Sequence, residues 1–151
     1  MKIKLVSPRM TLRPMDSEFK RRMSPSSALL VLAALTPPEH EVYIEDENVG
    51  MINLNDRPDL VGLTCSVDNS PRAYAIADHY RARGIPVVIG GTHASASPEE
   101  AGRHADAVCI GEAEEVWEFI LADAGMGNMM KTYRCPGPIK LAGYTSSGRD
   151  G

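Results

Sequence analysis

Short apolar runs alternate along this chain with longer segments of mixed polarity. Five of the runs predict strands: 2–6 (KIKLV), 41–46 (EVYIED), 59–66 (DLVGLTCS), 86–91 (PVVIGG) and 107–111 (AVCIG). Most are apolar on consecutive positions, as strands buried on both faces of a parallel sheet are.

Three segments predict helices: 24–35 (SPSSALLVLAAL), 70–84 (SPRAYAIADHYRARG) and 114–124 (EEVWEFILADA). The first is apolar nearly all round, which predicts that it packs on the sheet and on a second surface. The other two have apolar residues at helical spacing, which predicts one buried face on each: Ala73, Ile76, Ala77 and Tyr80, and Val116, Trp117, Ile120 and Leu121. A short helix is expected after Ser97, with Ser97 and Glu100 at capping-box spacing.

This alternation predicts the α/β class, with helices on both faces of one sheet. The expected form is a flavodoxin-like (Rossmann-like), doubly wound, five-stranded parallel sheet in the order 2-1-3-4-5. Residues 47–58 predict no helix, so one crossover is expected to be degenerate. We expect residues 1–125 to form the domain, and residues 126–151, which lack periodicity, to form an extended linker or tail.

Composition and charge exclude several classes of protein. The formal net charge is -4, so there is no basic patch to predict a nucleic-acid partner. The longest apolar run, 28–35, is too short for a membrane span. The N-terminus lacks the layout of a signal peptide, which predicts a cytoplasmic protein. The three cysteines are widely spaced, which predicts neither a disulfide framework nor a zinc site.

In a doubly wound sheet, ligands bind beyond the carboxyl ends of the strands. The sequence places small and polar residues at those ends: Ser7, Pro8, Arg9, Thr64, Cys65, Ser66, Val67, Gly90, Gly91, Thr92, His93, Gly111 and Glu112. These are the predicted ligand-binding residues. Neither a G-x-G-x-x-G nor a Walker phosphate loop follows the first strand. No nucleophile–base pair is apparent, so an enzyme that acts alone through Cys65 or His93 is the weakest of the functional alternatives.

The paired glycines at 90 and 91 allow two interpretations. A glycine lacks Cβ, so a ligand can lie directly on the backbone there. The alternative is a tight turn that needs positive φ. His93, two residues later, is interpreted as a polar contact to a ligand or as an ordinary loop histidine.

Several segments together resemble the N-terminal cobalamin-binding domain of cobalamin-dependent radical SAM enzymes: PDLVGLT (58–64), RAYAIADHYRARGIPVVIGG (72–91) followed by His93, PEEA (98–101), and HADAV and GEAE within 104–114. The resemblance covers about residues 1–135. It implies that a corrinoid is bound and that its nucleotide tail threads between strands 1 and 3, past Thr64, Cys65 and Ser66 and the pair Gly90 and Gly91. The loop 7–24 would then face the corrin ring.

Two motifs found in proteins related to this family are missing from the chain. The D-x-H-x-x-G motif that ligates cobalt in a related branch is missing, so a base-off corrinoid without a histidine ligand is expected. The three cysteines do not form C-x3-C-x2-C, so no iron–sulfur cluster is expected in this chain. The chain would not be catalytic alone. It would serve a radical SAM domain in methyl transfer or related chemistry. That domain would be either in cis, and missing here, or in trans. The alternative is a flavodoxin-like interaction or scaffold domain that binds no cofactor.

Overall fold

The computed structural model describes residues 1–10 and 27–135. It contains six strands, β1 (Lys2–Ser7), β2 (Glu41–Asp46), β3 (Leu60–Thr64), β4 (Val87–Gly90), β5 (Ala107–Ile110) and β6 (Thr132–Arg134). Its helices are α1 (Ser27–Leu35), α2 (Ser70–Ala82), α3 (Thr92–Ala96), α4 (Pro98–Gly102) and α5 (Trp117–Gly125), with a 3₁₀ turn at Ala113–Glu115 before α5.

All six strands lie parallel in one sheet, in the order β2-β1-β3-β4-β5-β6. The predicted fold class and the predicted order of the first five strands are confirmed. The sixth strand was not predicted, because it has only three residues and no periodicity. It is held by Tyr133, which is 3% exposed and whose hydroxyl donates a hydrogen bond to Asp123 at 2.6 Å. Residues 132–134 of the predicted linker thus lie in the sheet, and residues 136–151 lie outside the described residues.

The sheet separates two apolar clusters. On the α1/α5 face, Leu5, Leu60, Val88 and Cys109 pack with the buried residues of α1 and α5. On the α2/α4 face, Val6, Val61, Ile89 and Val108 pack with α2, α3 and α4. The four residues predicted to form the buried face of α2 are all buried. The four predicted for the last helix are buried too: Val116, which directly precedes α5, and Trp117, Ile120 and Leu121 within it. The helical spacing of the sequence therefore specified both packing surfaces.

A buried ionic network takes the place of a helix between β2 and β3. The side chain of Lys4, 0% exposed, contacts Asp56 and Glu45, both at 2.8 Å, and donates to the Asn53 carbonyl at 2.6 Å. Tyr80 of α2 donates to Asp56 at 2.5 Å. As predicted, residues 47–58 contain no helix, and the network ties this irregular segment to β1 and α2.

Helix α1 has an exposed apolar side. Leu29 and Leu32 pack against the sheet, whereas Leu30 and Leu35 are 61% and 51% exposed. The packing on the sheet is confirmed, and the second surface stays a prediction. The predicted start of this helix, Ser24 and Pro25, lies outside the described residues. Within residues 1–10 and 27–135, no helix is long and apolar enough to cross a membrane.

Candidate functional site

A cavity of about 570 Å³ opens at the carboxyl ends of β3, β4 and β5 and continues between the sheet and helices α1 and α5. This volume lies within the range of pockets that bind small molecules and cofactors. The walls are apolar and almost fully buried: Leu29, Leu32, Val88, Cys109, Trp117 and Ile120. The polar side chains of the lining are more exposed and follow the strand ends: Thr64, Thr92, Ser95, Glu112 and Glu114.

Gly62 and Gly90 both line the cavity, but they differ in the space that a side chain would find. A Cβ at Gly90 would meet only Cys109, at 3.5 Å, so its absence opens space in the cavity wall. A Cβ at Gly62 would lie 2.9 Å from Leu5 Cδ2, so that space already belongs to the core. At Gly90 a Cβ would therefore make contacts of ordinary length alone, 3.5 Å to Cys109 Cβ and 4.0 Å to the Cys109 carbonyl oxygen.

Gly91 has a different role from Gly90. Its φ of +107° disfavours other residues, and a Cβ there would lie 2.7 Å from the Cys65 carbonyl oxygen. Cys65 donates its amide to the Gly90 carbonyl at 2.7 Å, and its own carbonyl accepts from the His93 amide at 2.9 Å. The interpretation as a ligand cradle thus suits Gly90, whereas Gly91 is the turn that needs positive φ.

Six of the thirteen predicted residues line the cavity: Thr64, Gly90, Gly91, Thr92, Gly111 and Glu112. The structure brings these together from three different strand ends. Gly111, at φ +91°, donates its amide to Ser95 Oγ at 2.9 Å, which fixes the loop after β5 beside α3.

The remaining seven predicted residues, Ser7, Pro8, Arg9, Cys65, Ser66, Val67 and His93, do not line the cavity. Ser7 and Pro8 are buried, and the Asn48 amide donates to the Pro8 carbonyl at 3.3 Å. Arg9 and Val67 are exposed. Most of the loop predicted to face the corrin, residues 11–24, lies outside the described residues.

His93 points towards the α2/α4 face. Its Nε2 lies 2.8 Å from Glu100 Oε2, and the same oxygen accepts from the Tyr74 hydroxyl at 2.7 Å. These hydrogen bonds hold the pKa of Glu100 below its usual range. The predicted capping box is not formed. Ser97 occupies the N-cap position of α4 without a side-chain hydrogen bond, and the Glu100 carboxylate is turned to His93 and Tyr74.

Burial raises the pKa of both Cys65 and Cys109, the latter to about 11, so both thiols are protonated at neutral pH. They are therefore poor nucleophiles and poor metal ligands. Among the residues that the structure describes, no three His, Cys, Asp or Glu side chains come together as a metal site.

Sequence reasoning missed the cavity walls and Ser95. Besides the strand residues Val88 and Cys109, the walls come from α1 and α5, which lie far apart in the sequence and meet in the folded domain. The one available signal was that α1 is apolar nearly all round. Ser95 is a small polar residue in a short helix, and nothing in its neighbourhood distinguishes it from Ser97.

Comparisons with known proteins identify the family and support the fold. The model of the B12 binding domain family matches residues 13–121. Over 120 residues, 79% of this chain, the chain is 40% identical to the bacteriochlorophyllide d C-8(2)-methyltransferase of Chlorobaculum tepidum. Over 108 residues, 70% of this chain, it is 34% identical to the bacteriochlorophyllide d C-12(1)-methyltransferase of the same organism. The matched regions are 27% and 24% of those proteins, so the chain spans about a quarter of their length.

A solved structure supports the fold alone. The N-terminal domain of a hypothetical protein from Thermotoga maritima matches 76% of this chain and 96% of its own, with a TM-score of 0.50 and 21% sequence identity. The family model covers most of the described sheet and its helices, including the cavity walls. The chain belongs to the B12 binding domain family, and its cofactor is cobalamin.

Proposed function

We propose that the cavity on the α1/α5 face holds the nucleotide tail of cobalamin, with the lower base detached from cobalt. The single observation that carries this proposal is the cavity itself, which runs from the strand ends down between the sheet, α1 and α5. An extended group on the lower side of a corrin ring placed over the strand ends would fit such a space. Gly90 keeps the wall open where the tail would enter.

Two observations favour a cobalt whose lower face has no histidine ligand. Within residues 1–10 and 27–135, no histidine lines the cavity, and residues 7–24 of the sequence contain none. His93, the histidine closest in sequence to the cavity lining, is held by Glu100 on the other face.

The predicted contact residues fall into groups with different proposed roles. We assign contact with the tail to Thr64, Gly90, Gly91, Thr92, Gly111 and Glu112. Cys65 and His93 support the turn at Gly91 through their backbone hydrogen bonds. Arg9, Ser66 and Val67 lie at the same edge of the sheet and are candidates for contacts with the corrin ring.

When bound, cobalamin would supply a cobalt centre able to carry a methyl group, and the protein would supply its position and a shielded lower side. The two relatives are named as methyltransferases, which supports a role in a methylating system. We propose that the catalytic partner is a radical SAM domain, in cis or in trans, and that this chain alone has no activity. A cytoplasmic location is part of the same proposal.

Retention of cobalamin by the purified protein tests the proposal. The chain is mixed with hydroxocobalamin and desalted, and the visible spectrum is recorded. We expect the wild-type protein and Gly125→Leu to retain the corrinoid band, and Gly90→Leu to lose most of it. Gly125 is the matched control, because nothing lies within 4 Å of a Cβ there.

Circular dichroism must show the same fold in all three proteins. A wild-type protein that loses all colour would overturn the proposal and leave the scaffold alternative. Equal retention by Gly90→Leu would show that the tail does not occupy the cavity.

A further inference from the structure

The cavity is polar at its mouth and apolar in its depth. The polar side chains, such as Thr92 and Glu112, follow the strand ends and are exposed. The deep walls, such as Cys109, Trp117 and Ile120, are at most 2% exposed. A ligand group that reaches the depth therefore leaves water almost completely.

The polar atoms of the deep walls offer little to a ligand. The indole nitrogen of Trp117 donates to Thr36 Oγ1 at 3.0 Å, and the Thr36 hydroxyl donates to the Leu32 carbonyl at 2.7 Å. Burial raises the pKa of the Cys109 thiol to about 11, so it remains a neutral S–H group. Among the described wall side chains, this weak donor is the remaining polar hydrogen.

We propose that the depth of the cavity selects the lower base of the corrinoid: it accepts a base of the benzimidazole class and discriminates against a purine. This inference rests on the proposed function, because it requires the tail to enter the cavity. A benzimidazole detached from cobalt presents one ring nitrogen, which can accept the hydrogen bond of the Cys109 thiol. Adenine adds an exocyclic amine and further ring nitrogens, which would lose water without finding partners.

Burying such unpaired groups should raise the dissociation constant of a corrinoid with adenine as its lower base by about ten-fold to a hundred-fold. The test compares three corrinoids on the same preparation of the full chain. They are cobalamin, its analogue with adenine as the lower base, and cobinamide, which lacks the nucleotide tail. Dissociation constants are measured by titration and visible absorption.

We expect cobalamin to bind at least about ten-fold more tightly than the adenine analogue, and both to bind more tightly than cobinamide. Equal binding of cobalamin and the adenine analogue would overturn the selectivity while leaving the proposed function intact. Cobinamide binding as tightly as cobalamin would overturn the proposed function itself. The two failures are therefore distinguishable.

A pair of neighbouring valines provides a matched control. Val88 faces the cavity and Val87 faces the opposite apolar cluster, and both are buried. Val88→Thr places a hydroxyl in the cavity wall, so it should reduce the ratio of the two dissociation constants by several-fold. Val87→Thr buries the same hydroxyl elsewhere, so it should leave the ratio unchanged.

Comparing this ratio between each variant and the wild-type protein removes two confounding effects, namely loss of folded protein and the different ease with which the two bases leave cobalt. An unchanged ratio in Val88→Thr would contradict the proposal. If that variant does not fold, the ratio for the wild-type protein decides alone.

Discussion

The two faces of the sheet differ in their side chains, and the cavity lies on the face with fewer charged groups. The α2/α4 face holds side chains of the kinds that often form functional sites: a buried lysine, a tyrosine and a histidine–glutamate pair. The α1/α5 face is lined by leucines, valine, tryptophan and glycines. Yet the cavity lies on the α1/α5 face, and the chain belongs to a family that binds B12.

The difference follows from the partners of each group. On the α2/α4 face, Lys4 is paired with Asp56, and His93 with Glu100. A ligand that used these four side chains would first have to replace their interactions with one another. On the α1/α5 face, Gly90 has no side chain, so it leaves space in the cavity wall. The candidate site is therefore marked by absent side chains and not by reactive ones.

Gly91, at the boundary of the two faces, should show the largest effect on stability. Gly91→Val forces a β-branched residue to positive φ and places its Cβ against the Cys65 backbone. We expect the free energy of unfolding to fall by about 3–5 kcal/mol, from backbone strain and overpacking together. Gly90→Ala is the control and should change it by less than about 1 kcal/mol. Urea unfolding measures both, and equal stabilities would contradict the separate roles of the two glycines.

The ionic network on the α2/α4 face should have the next largest effect, and a pH dependence. Burial alone would raise the pKa of Asp56, but hydrogen bonds from Lys4, Tyr80 and Tyr43 outweigh it and hold that pKa below its usual range. Asp56 thus adds stability above its unfolded pKa of about 3.9, and this stability is lost as pH falls through the lower folded pKa.

Asp56→Asn should therefore cost about 2 kcal/mol at pH 7. Its difference from the wild-type protein should shrink as the pH is lowered below about 4. Unfolding at both pH values measures the effect, with the exposed Asp68→Asn as the control. A difference that does not change with pH would show that the charge of Asp56 has no role in stability.

His93 should have the smallest effect on cofactor binding. Its side chain lies outside the cavity, so His93→Ala should change the dissociation constant of cobalamin by less than about two-fold. Titration of this variant beside Gly90→Leu makes the comparison direct. A ten-fold weakening in His93→Ala would instead support the direct contact that the sequence predicts.

The sequence predicts what depends on local periodicity. The spacing of Ala73, Ile76 and Tyr80 identifies the buried face of α2, and the apolar runs identify five strands. It does not predict the cavity, because the cavity depends on how far α1 and α5 stand from the sheet. It also does not separate Gly90 from Gly91, since that distinction rests on a backbone angle and on the position of Cys65. The short strand β6 depends on pairing with β5, and no local pattern encodes it.

The most direct test of the comparison is to observe which backbone amides respond to the cofactor. The ¹⁵N-labelled protein is titrated with diamagnetic cyanocobalamin, and amide chemical shifts are followed by NMR. We expect large shifts at Gly62, Gly90 and Gly111 and little change at Ile76 and Tyr80 of α2. Shifts centred on His93, Glu100 and Tyr74, with the three cavity glycines unchanged, would contradict it.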